Sequence, residues 1–183
     1  ANFIADADNF AALDLWRGPS PGILRCNFVL QKVPAMNIDE TIKGRILGEA
    51  HFLRAHYYFL LVRLFGGVPL QTEPADSDSD LLLPRASAEE VYELIVEDLD
   101  QAITLLPQRS AYTQEHIGRA TKEAAMAELA RVYLTHYQDY EHYQLVVDLC
   151  EEIRKMGYQL EANYADLWNP SKQNGVESIF EVQ

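Results

Sequence analysis

The stretch Gly48-Glu49-Ala50-His51-Phe52-Leu53-Arg54-Ala55-His56-Tyr57-Tyr58-Phe59 runs on to Leu64-Phe65-Gly66-Gly67-Val68-Pro69-Leu70 and sets how the rest of the chain reads. It lies inside a helix predicted over 39–66, with Asp39 as N-cap. Ile42, Ile46, Ala50, Leu53, Tyr57, Leu60, Leu61 and Leu64 follow the three-and-four spacing of one buried face. Phe52, Leu53, Phe59, Leu64 and Phe65 read as core. Gly66-Gly67-Val68-Pro69 ends the helix, because Gly takes the left-handed conformation past a last turn and Pro cannot continue. Arg54 stands mid-helix in apolar surroundings, so it is expected to pair with a carboxylate or to cap carbonyls of a neighbouring loop.

The chain around it is also helical. Ser87 with Glu90 three residues on forms a capping box that opens a helix over 87–106, lined by Val91, Leu94, Ile95, Leu99, Ala102, Ile103 and Leu106. An Ala-rich helix over 121–136 starts at Thr121 and carries Ala125, Leu129, Val132 and Tyr133. A fourth, over 140–156, carries Tyr143, Val146, Val147, Cys150 and Ile153, with Gly157 past its last turn. Residues 177–183 alternate Phe180 and Val182 against polar neighbours and read as a short C-terminal strand. A strand with no partner in the sequence suggests a piece of a longer protein. Successive helix pairs with short connections predict an all-α, tetratricopeptide-like helical-pair repeat, an α-α superhelix. The pair from Thr121 to Met156 fits that pattern except near His142, where a small residue is expected.

Composition narrows the function. The 183 residues carry 28 Asp+Glu against 15 Lys+Arg, a formal charge of −13, which repels a phosphate backbone and excludes a nucleic-acid binder. The apolar-rich region from Phe52 to Leu70 is broken by Arg54, His56 and Arg63, so no stretch nears the roughly 20 apolar residues of a membrane span. No basic segment followed by an apolar one opens the chain. Cys26 and Cys150 belong to no CxxC motif; they read as two buried thiols, or as a pair in an oxidising compartment.

No HExxH, P-loop, GxGxxG or GxSxG motif is present, so no catalytic residue, cofactor or metal is predicted. His51 and His56 are five apart and point in different directions on a helix; His116, His136 and His142 are scattered. Asp76-Ser77-Asp78-Ser79-Asp80 opens like a calcium loop, but Leu81 and Ser87 stand where Gly and Glu are required, leaving a solvated linker. The carboxylate pairs Glu89-Glu90, Glu97-Asp98 and Glu151-Glu152 read as outer-face charge. Tyr57-Tyr58-Phe59 and Tyr133, Tyr137, Tyr140 and Tyr143 read as packing residues. Trp16, beside Arg17-Gly18-Pro19-Ser20-Pro21-Gly22, is the one exposed-aromatic candidate for a ligand contact, with anchoring of the N-terminal segment as its plainer role.

The segment from Glu49 to Leu70 closely resembles the signature of the SusD/RagB family, E-A-x-F-L-R-A-x-x-Y-F followed by F-G-x-V-P-L. Asn27-Phe28-Val29-Leu30, Asp98-Leu99 to Leu106-Pro107, Gly118-Arg119-Ala120-Thr121 and Glu177 to Val182 agree in order, so the resemblance covers the chain from about Trp16 onward. It implies one helical domain over 1–183 within a longer protein. It also implies a lipid-anchored, nutrient-binding protein on the cell-surface face of an outer membrane. Such a protein binds an oligosaccharide or other nutrient and covers a TonB-dependent SusC-like transporter, without catalysis. The lipid-carrying Cys of the family is absent from this sequence, and Gly18 to Gly22 reads as a break where the family has a continuous helix. The alternative is a tetratricopeptide-like scaffold that binds only protein.

Overall fold

A computed structural model describes residues 10–75 and 82–181. Six helices follow one another: α1 (Phe10–Arg17), α2 (Pro19–Lys32), α3 (Glu40–Phe65), α4 (Ala88–Leu105), α5 (Lys122–His136) and α6 (Tyr140–Lys155). From α2 onward each packs chiefly on the helices before and after it, as in a helical repeat. Local chemistry sets the boundaries. Asp39 accepts the Thr41 and Ile42 amides at 2.9 and 3.1 Å. The predicted Ser87–Glu90 box closes in both directions, and those bonds hold the Glu90 carboxyl below its ordinary range. Thr121 and Asp139 cap α5 and α6. Gly66 and Gly157 end α3 and α6 at φ of +70° and +101°, where an L side chain would be strained.

The long helix α3 is the centre of the molecule, and its buried face differs from the expected one. Gly48, Phe52, Ala55, Phe59 and Val62 form one buried stripe; Ala50, Arg54, Tyr58 and Leu61 form a second. Ile42, Leu53 and Leu64, assigned to the core from their spacing, are 46, 39 and 47% exposed. The helix is packed against both α2 and α4, so it needs two stripes. Those stripes are partly built from Gly, Ala and Arg, which the periodicity of large apolar residues overlooks. In α4 the expected positions hold: Val91, Ile95, Leu99 and Ala102 are fully buried.

Three other expectations are corrected. The interruption expected over Gly18 to Gly22 is confined to Gly18, between α1 and α2: Gly18 keeps helical dihedrals, its amide donates to the Asp14 carbonyl, and Pro19 occupies a first-turn position of α2, where its missing N–H costs nothing. Gly22 is where the Tyr57 ring crosses, since a Cβ there would lie 2.3 Å from the ring. Cys26 is buried, and burial raises its thiol to about 11, whereas Cys150 is exposed. Among the described residues no strand forms, and 177–181 run irregularly. With no strand beside it, the tail is held by side chains. Arg109 donates to the Asn174, Gly175 and Ser178 carbonyls, and Phe180 packs edge-on against Phe52 at 5.4 Å.

Two measurements check this packing. Leu61→Ala should lower unfolding free energy by about 2–5 kcal/mol, as expected for a truncated core leucine, while Leu64→Ala should shift it by under about 1 kcal/mol in urea denaturation. In native protein at neutral pH one thiol, Cys150, should react promptly with an aromatic disulfide reagent, and Cys26 only on unfolding.

Candidate functional site

A buried polar cluster joins three helices to one loop. Arg54 of α3 is 7% exposed, and Asn27 of α2 and Asp98 of α4 are each 1% exposed. The Arg54 guanidinium donates twice to the Asp98 carboxylate, from Nε to Oδ2 and Nη2 to Oδ1, both at 2.8 Å. Its Nη1 donates to Asn27 Oδ1 at 2.9 Å and to the Thr72 carbonyl at 3.3 Å. His51 Nδ1 lies 2.6 Å from Asp98 Oδ1, the oxygen that also accepts Arg54 Nη2. Burial works against the guanidinium charge, but the paired Asp98 bonds outweigh it and the Arg54 pKa stands above its ordinary value. Both alternatives expected for Arg54, a carboxylate and a loop carbonyl, are met at once.

The same cluster fixes the loop after α3. Asn27 Nδ2 donates to the Gln71 and Glu73 carbonyls at 2.8 and 3.2 Å. The Tyr58 hydroxyl donates to the Gln71 carbonyl at 3.0 Å and accepts the Gln71 amide at 2.7 Å. Burial pushes that phenol up to about 12, against the Gln71 bond and the Arg54 charge, so it keeps its proton. Arg85 closes the loop from the other side on the Phe65 and Gly67 carbonyls.

Over this anchored loop lies a cleft of about 330 Å³, walled by Trp16, Ser20, Tyr58, Pro69, Gln71 and Leu83 among others, and none of the described residues that line it is charged. The Trp16 ring packs edge-on against Phe65 at 5.1 Å and is 40% exposed, so the candidate named from sequence both anchors α1 and presents indole surface to the cleft. A flat aromatic wall with a hydroxyl and a carboxamide at its rim suits a ligand having apolar faces and polar edges.

The remaining candidates fall elsewhere. His56 meets Glu128 at 3.0 Å, and Arg131 donates to the same carboxylate at 2.6 Å. Burial works to raise the Glu128 pKa, yet His56 and Arg131 prevail and lower it. His51 and His56 thus serve two different carboxylates, and the described residues contain no grouping of metal-ligating side chains. His116 packs on Tyr112, His136 stacks on Tyr92 at 3.9 Å, and His142 stacks on Tyr137 at 4.0 Å beside Asp139. Tyr58 and Phe59 are buried packing residues, and Tyr133 and Tyr137 pack edge to face, but Tyr140 is 79% exposed. Residues 76–80, with their calcium-loop resemblance, lie outside the described residues. Asp98 is the outright correction: it is not outer-face charge but the buried partner of Arg54. Its signal was present, since Asp98 is three residues after Ile95 and four before Ala102, on the apolar stripe of α4. Asn27 gave no comparable signal, because its role depends on a loop some 44 residues away.

Residues 2–134 match the family described as SusD-like, starch-binding and associating with outer membrane. The SusD-like protein P25 of Formosa agariphila is 31% identical over 171 residues, covering 92% of this chain and 31% of that protein. A SusD superfamily protein from Parabacteroides distasonis superimposes with a TM-score of 0.86 at 34% identity, over 96% of this chain and 38% of that one. A laminarin-binding SusD-like protein gives 0.82 at 34%, over 91% and 36%. The chain belongs to the SusD-like family. It spans about a third of the length of these relatives.

Removing one member of the buried pair leaves the other charge without compensation, so Arg54→Met or Asp98→Asn should cost about 3–5 kcal/mol in chemical denaturation. Arg54→Lys should not restore it, because an ammonium cannot make the paired bonds. Glu128 has its pKa lowered by folding, so its contribution is present above about pH 4.3 and is lost as pH falls through the folded-state value. Glu128→Gln should therefore flatten stability against pH on the acid side, read as denaturation midpoints from pH 7 to 3.

Proposed function

We propose that the chain is the helical part of a glycan-binding protein of the outer-membrane surface. The observation that carries this reading is the match of residues 2–134 to a family described as starch-binding and associating with outer membrane. The cleft supports it. The described residues of its lining are neutral, and a net charge of −13 does not act on an uncharged sugar. The exposed indole surface of Trp16 takes the CH face of a pyranose, while Ser20 and Gln71 reach its hydroxyl edge. Capture is non-covalent and requires neither a cofactor nor a catalytic group. The bound sugar is concentrated beside a TonB-dependent SusC-like transporter, and a lipid on the longer protein holds the assembly at the membrane. The loop pinned by Asn27, Arg54 and Tyr58 keeps the cleft preformed, so little ordering free energy is lost on binding.

Calorimetry with laminari-oligosaccharides and other neutral oligosaccharides checks this reading. The unmodified chain should bind at least one of them, and Trp16→Ala should weaken that binding roughly five- to tenfold, or about 1–1.4 kcal/mol. Unchanged affinity in Trp16→Ala removes Trp16 from the contact. No binding to any sugar, with helical circular dichroism intact, contradicts glycan capture and leaves the protein-binding scaffold. Co-purification of the longer protein with its transporter checks the partner.

A further inference from the structure

We propose a second saccharide subsite, on the segment that follows α6, with Trp168 as its platform; it rests on the reading of the chain as a glycan binder. Trp168 and Tyr164 are 74 and 72% exposed, so packing among the described residues explains neither ring, and each is the other's aromatic neighbour at 6.3 Å. Yet the turns that carry them, Tyr164–Trp168 and Pro170–Lys172, are tightly fixed. Asn163 caps the first through the Ala165 amide at 3.2 Å. Asn169 caps the second, its Oδ1 accepting the Ser171 amide at 3.0 Å and hydroxyl at 2.8 Å. Lys172 and Asp166 close the pair with an ion pair at 2.5 Å. A large indole held on a rigid turn and left facing solvent is a preformed surface.

Beside it lies a cleft of about 280 Å³, large enough for a sugar ring, into which Trp168, Asn169, Gln173, Glu177 and Ser178 project. Apart from the indole, Leu167, Pro170 and Gly175, the lining is polar or charged. That combination fits a pyranose, which offers one apolar face to stack and a belt of hydroxyls to bond, and it fits neither a lipid nor an apolar helix. A cation is not the occupant the site is built for. The Glu161, Glu177 and Glu181 carboxylates already accept chain amides, Asp166 is paired with Lys172, and the described residues hold no cluster of metal-ligating side chains. Those carboxylates select by repulsion against uronic-acid or sulfated sugars, so the ligand is a neutral one. The subsite is separate from the Trp16 cleft. The tail is anchored by Phe180 on Phe52, Trp16 packs on Phe65, and the 13 residues between span about 20 Å of α3.

The chain has only two tryptophans, so each site carries its own fluorophore. Trp16→Phe leaves Trp168 as the sole indole. Titrated with a laminari-oligosaccharide, this variant should show a saturable change in emission. Trp168→Ala, with unchanged circular dichroism, should lose this site or bind at least fivefold more weakly in calorimetry. A uronic-acid oligosaccharide of the same length should leave the emission of Trp16→Phe unchanged. Silent Trp168 emission, while the unmodified chain binds the neutral sugar, overturns the subsite and leaves the glycan reading standing. An equal response to the uronic-acid sugar overturns its neutral selectivity. No binding by the unmodified chain overturns both the subsite and the reading it rests on.

Discussion

A guanidinium buried at the centre of a helical stack has to be fully compensated, and that requirement organises this molecule. Arg54 is almost out of reach of water, and an unpaired charge at that depth costs far more than one core contact returns. Asp98 supplies the opposite charge from α4, Asn27 an acceptor from α2, and Thr72 an acceptor from the loop that follows α3. One side chain therefore specifies how three helices sit and where the connecting loop runs. A methyl-bearing residue in its place would fill volume, but it would say nothing about the loop.

That coupling links packing to the surface. The loop held by Arg54, Asn27 and Tyr58 forms one wall of the Trp16 cleft, so a buried polar cluster shapes an exposed cleft. Such indirect support is what preformed sites require, because a wall that moved on binding would have to be ordered each time. The segment after α6 achieves the same rigidity differently, through Asx caps and one ion pair.

Much of this was legible from the residues. The four main helices and their caps followed from Asp39, Ser87, Thr121 and Gly66, whose local chemistry depends on nothing distant. Arg54 could be recognised as needing a partner, because a lone charge amid Phe52, Ala55 and Phe59 has no other rationale. What remained hidden depended on the third dimension. The buried faces of α3 contain Gly48, Ala55 and Arg54, which carry little hydrophobic signal, so counting Leu and Ile selected exposed positions such as Leu53 and Leu64. Gly18 to Gly22 read as a break, but only Gly18 interrupts the helix, because proline at a first turn lets α2 begin at once. The expected C-terminal strand failed because alternation describes a pattern and not a partner; Arg109 took the carbonyls instead. Trp168 gave no periodic signal at all, and only its exposure on a fixed turn marks it.

Buried Arg54 and its neighbours hold the 66–75 loop as firmly as the helices themselves. Amide hydrogen exchange at Gln71 tests it most directly, since that N–H is bonded to the Tyr58 hydroxyl at 2.7 Å within the cluster. In the unmodified protein it should exchange only as slowly as the core amides of α4, through global unfolding. Rapid exchange at Gln71, with α4 still protected, would mean that the buried cluster does not hold the loop.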